Sequence, residues 1–328
     1  MKPTAPPATG VRLPWERLPE TVRDAVTGVL GAPVVHAVTQ PGGFSPGAAV
    51  RVRTATGRRA FVKAVGADTN PGSPGLHRAE ARLAAALPAA VPAPRLLGAH
   101  DDGTWVALVF EEVAGHQPSV PWRPSELRRV LDAVGRLGGA FTPAPVAVPP
   151  AAEALRDAFD GRRRLLDDDR TDHRGRPEPW AAARLAELTA LAAPWPEAVT
   201  GDTLAHGDLR ADNILLTGGR DDGVVFVDWP HAMRAAPWVD LLLMLPCVSA
   251  QGGPDPEELF TAHPLGRAAD PAAVTAALAA FAGCLAGSAL RPAPPGLPTL
   301  RAFQRAQGEA APAWLRTRLS RSRLRRGR

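Results

Sequence analysis

The sequence is poor in the residues that mark secreted, metal-cluster or membrane-spanning proteins. Its 328 residues include two cysteines, Cys247 and Cys284, which excludes a disulfide framework and a cysteine-based metal cluster. It contains no run of eighteen apolar residues, so we expect no membrane span. The first residues lack the apolar core of a secretory signal, which favours a cytoplasmic protein. Tyrosine is absent, and beside 36 prolines we attribute this to a GC-rich coding genome.

The residues that are present indicate a globular protein large enough for more than one domain. Hydrophobic residues make up 45% of the chain. The expected order of elements is a helix, strands, one helix and a strand within the first 115 residues, and mostly helices after that. This order predicts the α+β class.

The most informative segment is a polar string followed by a lone aspartate. Asp228 comes fifteen residues after the end of a string that reads His206-Gly207-Asp208-Leu209-Arg210-Ala211-Asp212-Asn213. Two short apolar runs, 214–216 and 224–227, flank a turn and predict a hairpin that brings Asn213 and Asp228 to one mouth. Phosphoryl transfer needs a carboxylate to orient a hydroxyl and accept its proton, and it needs oxygen ligands for Mg²⁺. The polar string and Asp228 contain residues that could meet both needs. The alternative is a polar turn and a strand-ending aspartate without a catalytic role.

A glycine-rich turn lies upstream, between predicted strands 34–38 and 48–53. Glycines let backbone amides approach phosphates closely. The candidate phosphate-binding residues of this turn are Gly42, Gly43, Phe44 and Ser45. The alternative is a turn that only reverses the chain.

One lysine lies among the apolar residues of the next predicted strand, 59–65. Burial of Lys63 is costly unless the charge is paired. Glu80, on a predicted helix over 76–87, is the candidate partner because it lies near the apolar face of that helix. The alternatives are a lysine that faces water at a strand edge and an ordinary surface charge on an alanine-rich helix.

The polar string and Asp228 resemble those of the aminoglycoside phosphotransferase and choline kinase-like family, within the protein-kinase-like fold. The resemblance implies a bilobal α+β protein with a small antiparallel-sheet N-terminal lobe and a mainly helical C-terminal lobe. It also implies ATP and Mg²⁺ as cofactors. Position by position, Asp208 resembles the catalytic base and His206 the histidine that braces the loop, while Asn213 and Asp228 resemble the metal ligands.

The resemblance extends to the upstream half and to one downstream helix. Lys63 resembles the lysine that contacts the α- and β-phosphates, and Glu80 resembles its helix partner. The segment that contains Glu111 and Val113 resembles the hinge between the lobes, where backbone groups bind adenine. Asp240 resembles the aspartate that braces the catalytic loop through backbone amides, and we assign it a structural role.

Two departures separate this chain from protein kinases. Gly207 stands where protein kinases have arginine, and Trp229-Pro230 replaces their Phe-Gly. Both favour a small-molecule kinase. Two roles for Arg210 remain open: it steadies the transferred phosphoryl group, or it is a salt-bridge partner within the loop.

We expect residues 1–115 to form the nucleotide-binding lobe, with the hinge at its end, and residues 116–315 to form the catalytic and acceptor-binding lobe. Residues 316–328 carry seven arginines. Such a run can hold nucleic acid or anionic lipid, but no nucleic-acid motif accompanies it. We therefore interpret it as a solvated, disordered basic tail and expect neither a nucleic-acid nor a membrane partner.

The expected acceptor is a hydroxyl of a small molecule, such as an aminoglycoside, an amino alcohol or another metabolite. We expect a monomer or a weak dimer. The alternative function is a non-catalytic, kinase-like, nucleotide-binding regulatory protein, which would require a broken catalytic part. A cationic acceptor would need acidic residues, and the chain offers several candidates: Asp167, Asp168, Asp169, Asp172, Asp255, Glu257, Glu258 and Asp270. For each of them the alternative is a salt bridge or a helix cap.

Overall fold

A computed structural model of the chain describes residues 5–159, 179–218 and 223–326. Four of the candidate acceptor-binding acids lie outside these residues, namely Asp167, Asp168, Asp169 and Asp172.

A five-stranded antiparallel sheet is the centre of the first 111 residues. Its strands are ordered β1-β2-β3-β5-β4. They are β1 (Val34–Thr39), β2 (Ala48–Thr54), β3 (Arg59–Gly66), β4 (Leu96–Asp101) and β5 (Trp105–Glu111). Alternating β-branched residues such as Val50, Val52 and Val62 pack on one face of the sheet, as period-two patterning requires.

Two helices cover the two faces of this sheet. Helix α1 (Glu20–Leu30) buries Val22 and Val26 against the valine face and ends at Gly31, whose φ is +75°. Helix α2 (Ser73–Ala86) packs on the other face, against Phe61 and its neighbours. It begins three residues earlier than the predicted 76–87, because Pro74 fits the first turn of a helix.

The register of β3 directs Lys63 toward α2. Lys63 pairs with Ala49 of β2 and Leu108 of β5, in the interior of the sheet. Its side chain points to the same face as that of Phe61, two residues earlier, because strand side chains alternate. The strand-edge interpretation of Lys63 is therefore wrong.

After β5 the chain passes to a second, smaller sheet. Strand β6 (Gly115–His116) pairs with β8 (Ile214–Thr217), and β8 pairs with β9 (Val224–Phe226). The predicted hairpin is thus confirmed, with Ile214 opposite Phe226. Strands β7 (Thr203–Ala205) and β10 (Met233–Ala235) pair in a separate two-stranded ribbon.

The remainder is helical and surrounds one large apolar core. Its helices are α3 (Pro124–Ala140), α4 (Ala151–Ala154), α5 (Arg156–Phe159), α6 (Pro179–Ala182), α7 (Leu185–Ala192), α8 (Trp195–Ala198), α9 (Val239–Ala250), α10 (Pro256–Ala262), α11 (Pro264–Ala268), α12 (Pro271–Ala289) and α13 (Leu300–Arg326). Within the described ranges, α12 is a helix long and apolar enough to cross a membrane. It packs against α13 and buries Leu278 and Ala279 in the core.

The arginine-rich C-terminus differs from the predicted disordered tail. Helix α13 continues to Arg326, and Trp314 and Leu315 are buried on it. Arg318 is also buried, and its Nη1 lies 3.1 Å from both carboxylate oxygens of Glu257. Trp314 donates its indole N–H to the same carboxylate at 2.6 Å. The ion pair with Glu257 therefore keeps Arg318 buried, whereas the sequence alone had placed this charge in solvent.

We predict that Arg318→Met lowers the free energy of unfolding by about 3–5 kcal/mol, because it leaves the buried Glu257 carboxylate without its cation. The measurement is urea denaturation. Arg321→Met, on an exposed residue of the same helix, is the matched control. Equal stability of the two variants would show that the Arg318–Glu257 pair does not anchor α13.

Candidate active site

A lysine between two carboxylates joins the sheet, helix α2 and the end of β9. Lys63 Nζ lies 2.6 Å from Glu80 Oε2 and 2.5 Å from Asp228 Oδ1. The Lys63 and Glu80 side chains are 11% and 4% exposed, so the predicted Lys63–Glu80 contact is present and buried. The interpretation of Glu80 as an ordinary surface charge is therefore wrong.

The electrostatics of this group favour the ionised forms of Lys63 and Asp228, whereas burial is the largest influence on Glu80 and raises the pKa of that carboxyl. Burial acts to lower the pKa of Lys63, but the attraction of Asp228 and Glu80 outweighs it and raises that pKa. Burial acts to raise the pKa of Asp228, and the nearby Lys63 lowers it well below its usual range. One ammonium against two carboxylates leaves an excess of negative charge, which a bound cation would offset.

Asp228 itself has an unusual backbone conformation. Its φ is +69°, a left-handed value that is uncommon for a residue with a side chain. The following residue holds the turn, because Trp229 Nε1 donates a 2.8 Å hydrogen bond to the Phe226 carbonyl. Strain of this kind is found at functional sites, where surrounding contacts fix it.

The predicted catalytic loop, residues 206–213, is held by Asp240 on the first turn of α9. The Asp240 carboxylate accepts hydrogen bonds from the backbone N–H groups of His206, at 2.7 Å, and Gly207, at 2.9 Å. The predicted bracing contact is therefore present. Burial raises the pKa of Asp240 to about 6. Gly207 is required here, because its φ is +81° and a Cβ would lie 2.4 Å from the His231 carbonyl oxygen.

His206 links the loop to the end of β9. Its Nε2 lies 2.9 Å from the Val227 carbonyl, and its Nδ1 lies 3.3 Å from the backbone nitrogen of Asp208. A carbonyl only accepts, so Nε2 carries the proton and Nδ1 accepts from the Asp208 N–H. Burial lowers the pKa of His206 from 6.5 to about 4. A neutral histidine with both nitrogens engaged is suited to bracing the loop.

Asp208 is paired with Arg210 in this structure. Arg210 Nη1 lies 2.5 Å and 2.6 Å from the two carboxylate oxygens of Asp208. The same guanidinium bonds Asp212 through Nε at 3.1 Å and Nη2 at 3.0 Å. Burial raises the pKa of Asp208, although the charge on Arg210 opposes the change. Of the two roles proposed for Arg210, its contacts correspond to a salt bridge within the loop, and a role in transfer stays a prediction.

The two predicted metal ligands lie at one mouth, as the hairpin implied. The backbone N–H of Val227, next to Asp228, donates to the Asn213 carbonyl at 2.9 Å. The side-chain nitrogen of Asn213 donates to the Asp208 carbonyl at 2.8 Å, which leaves its amide oxygen as the atom able to bind a cation. A carboxylate and an amide oxygen, with negative charge in excess, fit Mg²⁺, which completes its shell with waters and phosphates.

Every predicted nucleotide-binding and metal-binding residue lines one cavity of about 400 Å³. These are Gly42, Gly43, Phe44, Ser45, Lys63, Glu80, Glu111, Val113, Asn213 and Asp228. Glu111 lies at its edge, where β5 ends and its carboxylate accepts from the Arg95 N–H at 3.1 Å. The predicted residues therefore meet in one space, although they come from distant parts of the chain.

Asp208 and Arg210 line a second cavity, of about 210 Å³, beside the first. Phe44, Ser45, Glu80 and Asp228 border both cavities. The predicted base and the predicted nucleotide site thus face adjoining spaces that meet at Asp228.

Three residues at these cavities were missed by sequence reasoning. Arg12 and Asp212 line the larger cavity. His77 lines the smaller one, is 4% exposed, and its Nε2 is buried without a hydrogen-bond partner among the described residues. Helical periodicity was a usable signal for His77, because it lies three residues before Glu80 on the same face. Asp212 stood inside the polar string, whereas Arg12 carried no local signal.

The cap interpretation of the candidate acceptor-binding acids is confirmed at two positions. Asp255 accepts from the backbone N–H groups of Glu257 and Glu258 at 2.9 Å and 3.1 Å. Asp270 caps α12 through Ala272 and Ala273. Glu257 is buried and bonded to Trp314 and Arg318, so it is part of the core.

We predict a pH dependence from His206, because its imidazole takes a proton near pH 6.5 when unfolded and near pH 4 when folded. The unfolded state binds more protons in that window, so stability rises with pH across it, by up to about 3 kcal/mol. Relative to His206→Gln, the wild type should therefore gain stability between pH 4.5 and 7.5 in urea titrations. His36→Gln, at an exposed residue of β1, is the control. Parallel pH curves for wild type and His206→Gln would contradict a buried, neutral His206.

The fold has counterparts among solved structures. A thermostable mutant of the aminoglycoside phosphotransferase APH(4)-Ia, in a ternary complex with ADP and hygromycin B, is 17% identical with a TM-score of 0.58, and the match covers 90% of this chain and 98% of that one. An aminoglycoside phosphotransferase from Alicyclobacillus acidocaldarius is 17% identical with a TM-score of 0.53, over 93% of this chain and 96% of that one. Likeness at these identities shows the fold, and the predicted α+β, protein-kinase-like class is confirmed.

Sequence comparisons give the family. No curated protein matches the chain. Residues 40–269 match the model of a family described as the phosphotransferase enzyme family. These residues are more than half of the chain and include the glycine-rich turn, Lys63, the predicted catalytic loop and Asp228. The chain therefore belongs to the phosphotransferase enzyme family, as its resemblance to aminoglycoside phosphotransferases predicted.

Proposed function

We propose that this protein is a Mg²⁺-dependent kinase that moves the γ-phosphoryl group of ATP to a hydroxyl of a small molecule. The observation that carries the proposal is the buried Lys63–Glu80–Asp228 group. It lines one cavity together with the glycine-rich turn between β1 and β2, which is called the glycine-rich hairpin below. The candidate base Asp208 faces the adjoining cavity. When a polyphosphate and its cation occupy the cavity, the lysine of such a group can contact the phosphates and a carboxylate can bind the cation.

The larger cavity suits ATP in one orientation. Its floor beside Glu111 and Val113, at the end of β5, is the candidate position for adenine. Its other end, between Ser45 and Lys63, is the candidate position for the phosphates. Asn213 and Asp228 would hold Mg²⁺, which when bound neutralises phosphate charge.

Transfer requires a base that the acceptor can reach. Asp208 would accept the proton of the acceptor hydroxyl, and the hydroxyl oxygen would bond to the γ-phosphorus. The bond between that phosphorus and the oxygen that bridges it to the β-phosphate would break, which releases ADP. Arg210 contacts Asp208 now and would be near the transferred group. His206 and Asp240 would keep the loop in place.

The acceptor is proposed at the level of its chemistry. A small-molecule hydroxyl compound is expected, of the aminoglycoside, amino-alcohol or related metabolite kind. A solved structure of similar fold contains hygromycin B, which makes that compound a reasonable first probe. We also propose residues 1–115 and 116–315 as the nucleotide-binding and acceptor-binding lobes of a cytoplasmic monomer or weak dimer.

One observation favours the alternative of a non-catalytic nucleotide-binding protein. Arg210 contacts both carboxylate oxygens of Asp208, so the candidate base is occupied in this arrangement. Against this, Lys63, Asp208, Asn213 and Asp228 are all intact, and a protein without catalysis has no need of the full set. Turnover distinguishes the two.

We predict that Asp208→Asn lowers turnover by about 10²- to 10⁴-fold, the usual contribution of a general base, with little change in the dissociation constant for ATP. ADP formation is followed with hygromycin B, streptomycin and ethanolamine as acceptors, and without acceptor as ATP hydrolysis. Asp202→Asn, at an exposed side chain paired with Arg234, is the control.

Full activity in Asp208→Asn would remove Asp208 as the base. Tight ATP binding by a wild type that forms no ADP under any of these conditions would instead favour the non-catalytic alternative.

A further inference from the structure

An N-terminal arm of residues 5–13 lies against the glycine-rich hairpin. The Gly43 N–H donates to the Ala8 carbonyl at 3.1 Å, the Leu13 N–H donates to the Gly47 carbonyl at 3.0 Å, and the Gly47 N–H donates to the Val11 carbonyl at 3.1 Å. The arm precedes the residues that match the family, which begin at 40. The arm thus lies outside the matched range and beside the larger cavity.

Arg12 is the residue of the arm that enters this cavity. Its guanidinium donates to the carbonyls of Ser45 and Gly42, and Nη2 lies 3.4 Å from the Gly43 carbonyl. Arg12 lines the cavity together with Lys63 and Asp228. Burial lowers its pKa, and the nearby carboxylates of Asp228 and Asp212 oppose the change. A guanidinium therefore lies where the phosphates are proposed to bind.

The guanidinium has donors to spare. It carries five N–H bonds in a planar fork. Nη1 contacts the Ser45 carbonyl, and Nη2 contacts those of Gly42 and Gly43. These three contacts among the described residues involve terminal nitrogens that carry four N–H bonds, and Nη1 has the second one to spare. Arg12 can thus keep its contacts to the hairpin and donate to a ligand at the same time.

The hairpin also needs a cation at this point. A phosphate cradle works when N–H groups face the ligand, but Gly42 and Ser45 direct carbonyl oxygens at Arg12. Carbonyl oxygens repel phosphate oxygens unless a positive charge lies between them. Lys63 is already held by two carboxylates, so it is only partly available.

We propose that Arg12 is a phosphate-binding residue of the nucleotide site, which bridges the carbonyls of the glycine-rich hairpin and the polyphosphate of ATP. This inference rests on the proposed function. It adds to the site a cation supplied by the N-terminal arm.

The competing role for Arg12 is a clamp that only shapes the hairpin. Two variants separate the roles. Arg12→Gln keeps an amide donor for the carbonyls but removes the charge, whereas Arg12→Lys keeps the charge but loses the fork. Calorimetry on the full chain measures dissociation constants for ATP, ADP and adenosine. Arg17→Gln, at an exposed residue close to the arm, is the control.

Arg12→Gln should weaken ATP and ADP binding by about 10- to 100-fold, as expected for a lost charge-assisted hydrogen bond, and leave adenosine binding unchanged. Arg12→Lys should retain more ATP affinity than Arg12→Gln. Unchanged ATP binding in Arg12→Gln, an equal loss for adenosine, or better retention by Arg12→Gln than by Arg12→Lys would overturn the proposal. A wild type that binds no nucleotide would overturn the proposed function as well, so the two failures are distinguishable.

Discussion

The site depends on a single buried ammonium shared by two carboxylates. Lys63 lies in the interior of the first sheet, Glu80 on the helix that covers one face of it, and Asp228 at the end of a strand in the second sheet. A buried charge without a partner is strongly destabilising, so each of the three elements is held in position by the other two. The excess negative charge of the group is also the reason that we propose it as the place where a cation binds together with a polyphosphate. The structure and the proposed chemistry thus depend on the same contacts.

The remaining parts of the site are connected to this group through short bonds. Asp240 holds two amides of the catalytic loop, and His206 ties that loop to Val227, the residue before Asp228. At the other side, the Arg210 guanidinium lies over the Phe44 ring, 5.3 Å from its centroid, and Phe44 packs edge-on against Phe303 of α13. The tip of the hairpin therefore contacts the catalytic loop and the C-terminal helix. Together with Arg12, these contacts join the glycine-rich hairpin to three other parts of the chain.

Much of this arrangement could be predicted because its signals are local. Each of three features can be recognised within about a dozen residues: the polar string, the strand with one lysine and the helix with Glu80. The β8–β9 hairpin follows from its turn and its β-branched residues. Arg12 could not be predicted, since its partners lie some thirty residues away and no pattern announces them. The arginine-rich C-terminus was misjudged for a related reason. Charge counting cannot foresee that Glu257, on another helix, pairs with Arg318 and buries it. Long-range pairing of charges is the part of the fold that composition and periodicity leave undetermined.

The most direct measurement is calorimetry of ATP binding with and without Mg²⁺, on the wild type, Asp228→Asn and Glu80→Gln. Each variant removes one carboxylate partner of Lys63, but only Asp228 is a proposed metal ligand. The account predicts that Mg²⁺ strengthens ATP binding in the wild type and in Glu80→Gln, and that this gain is lost in Asp228→Asn. An equal Mg²⁺ effect in all three proteins, or none in the wild type, would contradict the assignment of this buried group as the site of the nucleotide and its cation.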